Sequence, residues 1–196
     1  YGANVTIVEL EDRLIPNEDK EISQALTKSF TENGITISCS SSVESIETNT
    51  DFAVVEVSKN GEISKIECDR VLVAVGVQAN TDNLGLENIN LETDRGFIPI
   101  DNNMNTSISN IYAIGDVTGK MLLAHVASAQ GVTAVENIAG LNPPELDYSI
   151  MPRAIYCEPQ IASFGLTEDQ AKEQGLDIQI GKFPFSASGK AIALDK

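Results

Sequence analysis

The sequence predicts an α/β protein built on a parallel sheet, with an antiparallel β-meander set into it. Three observations point there. A β-branched apolar run, "NVTIVEL" (residues 4–10), precedes a helical pattern and then a second short strand pattern, "ITISCS" (residues 35–40). Strand, helix and strand at that spacing form a βαβ unit, whose two strands lie parallel. From residue 43 to 75 the period changes to two, around Asn60-Gly61, a dipeptide suited to a tight hairpin turn.

Each element has its own signature. In "EDKEISQALTKSFTENG", Ile22, Ala25, Leu26 and Phe30 fall at helical spacing, acidic residues fill the first turn, and Gly34 sits where a helix C′ residue belongs. "VESIET" and "FAVVEVSKNGEISKIECD" read as the meander, and "RVLVAVG" returns to a central strand ending at Gly76. A loop-rich stretch follows, with short β pieces around Asp94-Arg95-Gly96. Asn110 to Ile114 is a short apolar strand that runs into Gly115-Asp116. From Met121 to Val135 no residue carries a fixed charge, and Leu122, Leu123, Val126, Ala127, Val132 and Val135 cover most of a helix circumference. Such a helix is expected to be buried all round. Gly140, Pro143 and Pro144 end it. Beyond them "RAIYCEPQIASFG", a capping box from Thr167 to Gln170, the helix "EDQAKEQ" and the strand "DIQIGKFPF" open a second domain. The start at Tyr1, directly before a strand, and the end just after "FSASGKA" are expected of a segment cut from a longer chain.

Composition narrows the function. Thirteen basic against 29 acidic residues give a formal charge of −16. Nucleic acid and anionic membrane surfaces both call for basic patches, so neither is an expected partner. No apolar run reaches the roughly 18 residues of a transmembrane helix, and the N-terminus has no basic-then-apolar signal pattern. The cytoplasm is the expected location. Cys39, Cys68 and Cys157 lie too far apart in sequence for a CxxC or paired zinc spacing and read as free thiols. One histidine makes a His-based metal site unexpected, and no metal is predicted.

Four places carry candidate chemistry. Glu9 closes the first strand, where a carboxylate can accept hydrogen bonds from an adenosine ribose and repel a 2′-phosphate; a solvated loop residue is the plainer alternative. Gly76 ends a central strand, where a missing side chain admits a ligand to the backbone, or simply makes a turn. Asp116 follows a strand and stands just before a helix start at about Leu122. The unpaired N–H groups of such a start favour an electron-rich partner, and the carboxylate suits ligand hydroxyls; the alternative is an Asp capping its own turn. His125 lies in the first turn of that helix, as a base or, better matched, a neutral ring packed at a ligand wall. No Ser-His-Asp set, P-loop or catalytic carboxylate pair is present, so no catalytic residue is assigned.

Together, "NVTIVE", "VLVAVGVQANTDNLGLE", "TSISNIYAIGDV", "LLAHVASAQG" and "PRAIYCEPQIASFGLTEDQAKEQG" resemble the dihydrolipoamide dehydrogenase family, flavin-dependent pyridine nucleotide–disulfide oxidoreductases of class I. The resemblance spans nearly the whole chain. It implies a Rossmann-like NAD-binding domain with its meander in residues 1–78, a returning segment of the FAD-binding domain in 79–148, and the start of an α+β dimerisation domain in 149–196. By the same resemblance Glu9 is the ribose-binding acid, Val43 an adenine-side contact and Gly76 the glycine beside NAD. Asp116 binds the flavin's ribityl chain, and Leu122, Leu123, Ala124 and His125 lay their backbone against FAD. The activity implied is oxidation of dihydrolipoamide to lipoamide with FAD and NAD⁺, in a homodimer serving lipoyl domains of 2-oxoacid dehydrogenase or glycine cleavage complexes. Two departures stand out: Val77-Gln78-Ala79 replaces the family's Arg-Arg-Pro, and Glu158-Pro159-Gln160 its His-Pro-Glu. The redox cysteine pair and the catalytic His-Glu dyad are not among these residues. Alternatives are a mercuric or glutathione reductase type of enzyme, or a non-catalytic flavin- or NAD-binding protein.

Overall fold

The computed structural model describes residues 2–194. Strand β1 (Thr6–Val8) lies parallel to β2 (Thr36–Ser38), pairing Thr6 with Thr36, Ile7 with Ile37 and Val8 with Ser38. Helix α1 (Lys20–Glu32) makes the crossover between them, as parallel strands require. Its buried face centres on Ser23 and Leu26, while Ile22 remains 40% exposed. Asn33 caps its end and Gly34 follows at φ 82°, a left-handed position that costs glycine nothing.

Strands β3 (Ser41–Thr48), β4 (Ala53–Lys59) and β5 (Glu62–Cys68) form the antiparallel meander in the order β3-β4-β5. Ala53, Val55 and Val57 alternate into the interior, the period-two pattern of a half-buried strand. Asn60 (φ 53°) and Gly61 (φ 83°) are both left-handed, so the hairpin closes with a type I′ turn. The register slips between Val43 and Ser45, leaving Glu44 as a bulge.

Contacts divide the chain into two compact units, one drawn from residues 1–73 and 154–196 and the other from 74–153. The second unit has little regular structure. Leu91, Ile98 and Ala113 form its core, with Leu86, Ile100, Ile108 and Val117 packed around them, and Met104 is fully buried. Asp94 and Phe97 exchange both backbone hydrogen bonds (2.8 and 2.9 Å) around Arg95-Gly96, a second turn with two left-handed residues. Helix α2 (Ala124–Ile138) ends at Gly140, φ 74°.

Strand β6 (Arg153–Ile155) pairs with β7 (Ile161–Ser163), and α3 (Glu168–Glu173) starts on the expected capping box of Thr167 and Gln170. Asp19 stands at the N-cap of α1 yet spends its carboxylate elsewhere, accepting the Glu168 N–H at 2.8 Å. Helix α4 (Gly189–Ala193) is the last described element.

Four expectations are corrected. Residues 70–76 form no strand; Leu72 and Val75 are about nine-tenths exposed, because no strand among the described residues offers that run a ladder. Residues 110–114 contribute one isolated bridge, Asn105 to Tyr112, since Asn110 at φ 64° turns the chain. Residues 177–184 are likewise irregular, for want of a partner strand among the described residues. Finally, α2 is buried along one stripe (Val126, Gln130, Thr133, Ala134), while Val132, Val135 and Ile138 are about three-fifths exposed. An uncharged helix reveals how much apolar surface it carries, not how much its neighbours cover.

Candidate functional site

Gly115 and Asp116 begin a short 3₁₀ turn, Asp116–Thr118. Gly115 adopts φ 76°, ψ −158°, a region that essentially only glycine occupies. Its N–H donates to Gln130 Oε1 at 2.6 Å, and its carbonyl accepts from Thr118 Oγ1 at 2.8 Å. A Cβ on Gly115 would stand 3.4 Å from the Ala127 methyl, so the turn rests directly on α2. Asp116 itself is exposed.

A concavity of about 340 Å³ opens beside it, lined by Val77, Gln78, Ala79, Asn80, Phe97, Asp116, Val117 and Leu122. Leu123 is the N-cap of α2 and offers no side-chain cap. The N–H groups of Ala124, His125 and Val126 therefore have no intrahelical acceptor, and they gather the positive end of the helix dipole. The hollow thus brings together the Asp116 carboxylate, an apolar wall and Leu122, the residue just before the N-cap of the 15-residue helix α2. That combination suits a flat, partly apolar ligand with hydroxyls to donate and an edge able to carry negative charge.

His125 is exposed, and its Nε2 lies 2.9 Å from the carbonyl oxygen of Pro152. A carbonyl only accepts, so Nε2 bears the proton and donates. The ring is held as a strut across this end of the unit, which fits a wall residue better than a base.

The remaining candidates lie elsewhere. Glu9 follows β1 directly, with its N–H on Ser38 O (2.9 Å) and its carbonyl taking the Ser41 N–H (3.0 Å). Its Oε1 accepts the Glu11 N–H at 2.9 Å, which fixes the carboxylate at the strand end. Val43 stands beside the β3 bulge and is 46% exposed. Glu9 and Val43 belong to the first unit. Gly76 (φ 113°) belongs to the second, with open space where a Cβ would be.

Cys39, Cys68 and Cys157 are free thiols. Burial, then the nearby Glu9 carboxylate, pushes Cys39 up; burial, then Glu158, does the same for Cys157. Neither is poised as a thiolate nucleophile. Among the described residues no cluster of His, Cys, Asp or Glu could hold a metal ion, and no helix is long and apolar enough to cross a membrane. The contributions of Gln130, Thr118, Phe97 and the 77–80 segment were not anticipated. A glutamine inside a nearly uncharged helix was the available signal, since a buried amide requires partners.

Residues 1–131 match the family model for pyridine nucleotide-disulphide oxidoreductases, and residues 151–196 match the dimerisation domain of the same enzymes. The chain belongs to this family, and its α/β, Rossmann-like class stands. More particularly, it is 50% identical over 194 residues to a dihydrolipoyl dehydrogenase of Mycobacterium leprae and 43% identical over 194 residues to one of Bacillus subtilis, covering 97% and 98% of this chain. It spans 41% of the length of each. Among solved structures it is similar to LpdA from Mycobacterium tuberculosis (TM-score 0.89, 26% identity), over 99% of this chain and 42% of that one. It is also similar to RclA from Escherichia coli, described as an HOCl-induced flavoprotein disulfide reductase (TM-score 0.86, 28% identity, 99% of this chain and 44% of that one).

Proposed function

We propose that this chain forms the NAD-proximal and flavin-proximal part of a dihydrolipoyl dehydrogenase, an enzyme that oxidises dihydrolipoamide to lipoamide and passes the electrons to NAD⁺. The observation that carries the reading is the shared hollow of the Asp116 turn and the approach to α2 at Leu122. FAD, held there, supplies the two-electron chemistry between a dithiol and a nicotinamide. In this reading Asp116 accepts hydrogen bonds from the ribityl hydroxyls. The backbone of Leu122, Leu123, Ala124 and His125 faces the flavin edge, and the free N–H groups of the first turn stabilise negative charge on it. The chain contributes no reacting group: its cysteines are not the redox pair.

By the family resemblance Glu9 and Val43 are contacts for the adenosine side of NAD, and Gly76 is the glycine beside NAD. Glu9 accepts from the ribose hydroxyls and repels a 2′-phosphate, so NAD⁺ is preferred over NADP⁺. The assignment divides the chain into part of the NAD-binding domain (1–78), the returning FAD segment (79–148) and the first part of a dimerisation domain (149–196). The enzyme is then a cytoplasmic homodimer whose partners are lipoyl domains of 2-oxoacid dehydrogenase or glycine cleavage complexes.

The test is dihydrolipoamide-driven reduction of NAD⁺ and NADP⁺ by the full-length protein, with the flavin spectrum recorded alongside. Yellow protein with NAD⁺-linked turnover supports the reading. Bound flavin without that turnover leaves another disulfide reductase of the family, the class to which RclA is assigned, as the answer. Replacing Glu9→Arg should move the kcat/KM preference toward NADP⁺ by about tenfold or more, the scale of one charge pair gained and one repulsion lost. An unchanged ratio removes Glu9 from the ribose.

A further inference from the structure

Gln130 is fully buried, 0% exposed, and both ends of its amide are used. Oε1 takes the Gly115 N–H at 2.6 Å, while Nε2 donates to the Tyr148 hydroxyl oxygen at 3.0 Å. Thr118, 5% exposed, donates to the Gly115 carbonyl from the other side. Gly115 is therefore gripped at both its N–H and its carbonyl by side chains shielded from water, where hydrogen bonds are strongest and lost partners cost most. A glycine at φ 76°, ψ −158° would otherwise be free to leave that region. The next residue is Asp116, exposed and making no comparable bond of its own that would fix its direction.

We propose that Gln130, Thr118 and Tyr148 are positioning residues that set the aim of Asp116 toward its ligand. The clamp also fixes the Asp116 turn against α2, since Gly115 rests on Ala127 and Gly131 lies 3.4 Å (measured from the Cβ it lacks) from the Ile114 side chain. The carboxylate and the free N–H groups of the helix start thus reach the ligand as one preset unit. This inference rests on the reading of Asp116 as a flavin contact.

The decisive experiment is a double-mutant cycle on the full-length protein, stripped of flavin and titrated with FAD to give Kd, with melting temperature measured in parallel. Gln130→Met keeps the volume and removes the acceptor. It should raise Kd about tenfold in the native background, the loss of one buried hydrogen bond, and less than twofold once Asp116→Ala is present. Gln130→Glu should recover most of the affinity, because its carboxylate accepts from Gly115 while the Tyr148 hydroxyl turns to donate. Should Gln130→Met fail to yield folded protein, Thr118→Val replaces it in the same cycle. Equal factors in the two backgrounds would overturn the clamp and leave the Asp116 reading intact. A Kd unmoved by Asp116→Ala alone would instead remove Asp116 from the flavin, whatever Gln130 does.

Discussion

The β-meander and the region around Asp116 are built on different kinds of bond. In residues 41–68 the backbone pairs with the backbone along β3, β4 and β5, and side chains decide only which face is buried. In residues 79–121 the chain turns repeatedly, and single side chains hold the turns. Thr81 Oγ1 donates to Gly96 O at 2.7 Å, Asp101 Oδ1 accepts the N–H groups of Asn103 and Asn105 at 2.8 and 2.9 Å, and Thr106 Oγ1 donates to Ile111 O at 2.9 Å. A ladder spreads its stability over many equivalent bonds. A scaffold of turns concentrates it in a few residues, and in return it can point a loop wherever a ligand needs it.

The largest test of that contrast is in the two cores. Met104→Ala removes a fully buried side chain from the turn-built unit and should cost about 2–5 kcal/mol in urea unfolding of the full-length protein. Val57→Ala, 3% exposed in the centre of the meander, should cost about 2 kcal/mol. A meander substitution as damaging as the methionine would break the comparison. Next come the glycines. Gly61→Ala meets open space and pays only the left-handed backbone, about 1 kcal/mol, whereas Gly119→Ala at φ 66° also places a Cβ 2.8 Å from the Phe97 ring. The second should lower stability by a further ~1–3 kcal/mol, because Phe97 must leave its place at the hollow.

A smaller effect lies in acid. Burial alone would raise the Asp101 carboxyl, but hydrogen bonds from the Asn105 side chain and from the N–H groups of Asn105 and Asn103 outweigh it and hold the group below its ordinary value. A depressed folded pKa gives stability that is present above the ordinary value of 3.8 and lost as pH falls through the lower, folded value. Asp101→Asn keeps the acceptor and should flatten that part of the melting-temperature profile below pH 4. Smallest of all, Lys65→Ala removes an exposed partner of Glu56 (2.8 Å) on the meander and should leave the melting temperature nearly unchanged.

The same contrast explains what could be read in the sequence. Local chemistry was legible: the βαβ spacing, the Gly34 helix end, the Asn60-Gly61 hairpin and the Thr167–Gln170 capping box each depend on residues a few positions apart. Glu9 at the end of β1 and Asp116 before an uncapped helix were legible for the same reason. The run 70–76 forms no strand because apolar β-branched residues favour one only where a neighbour supplies the ladder. The exposed flank of α2 was misread because burial belongs to the surroundings of a helix. Gln130 to Gly115, and Phe97 against Gly119, join residues 15 and 22 positions apart through side chains whose directions no periodicity encodes.

The grip on Gly115 also constrains the order in which this sequence can change over generations. Gly115 cannot gain a side chain without backbone strain while its φ stays at 76°, and a Cβ there would stand 3.4 Å from the Ala127 methyl. Gln130 cannot be exchanged for an apolar residue without stranding the Gly115 N–H and stripping Tyr148 of its donor. Each single step passes through a form with a buried group unsatisfied or a backbone displaced. The accessible routes run through acceptor-bearing replacements such as Glu at 130, so this stretch should drift in coupled steps rather than one residue at a time.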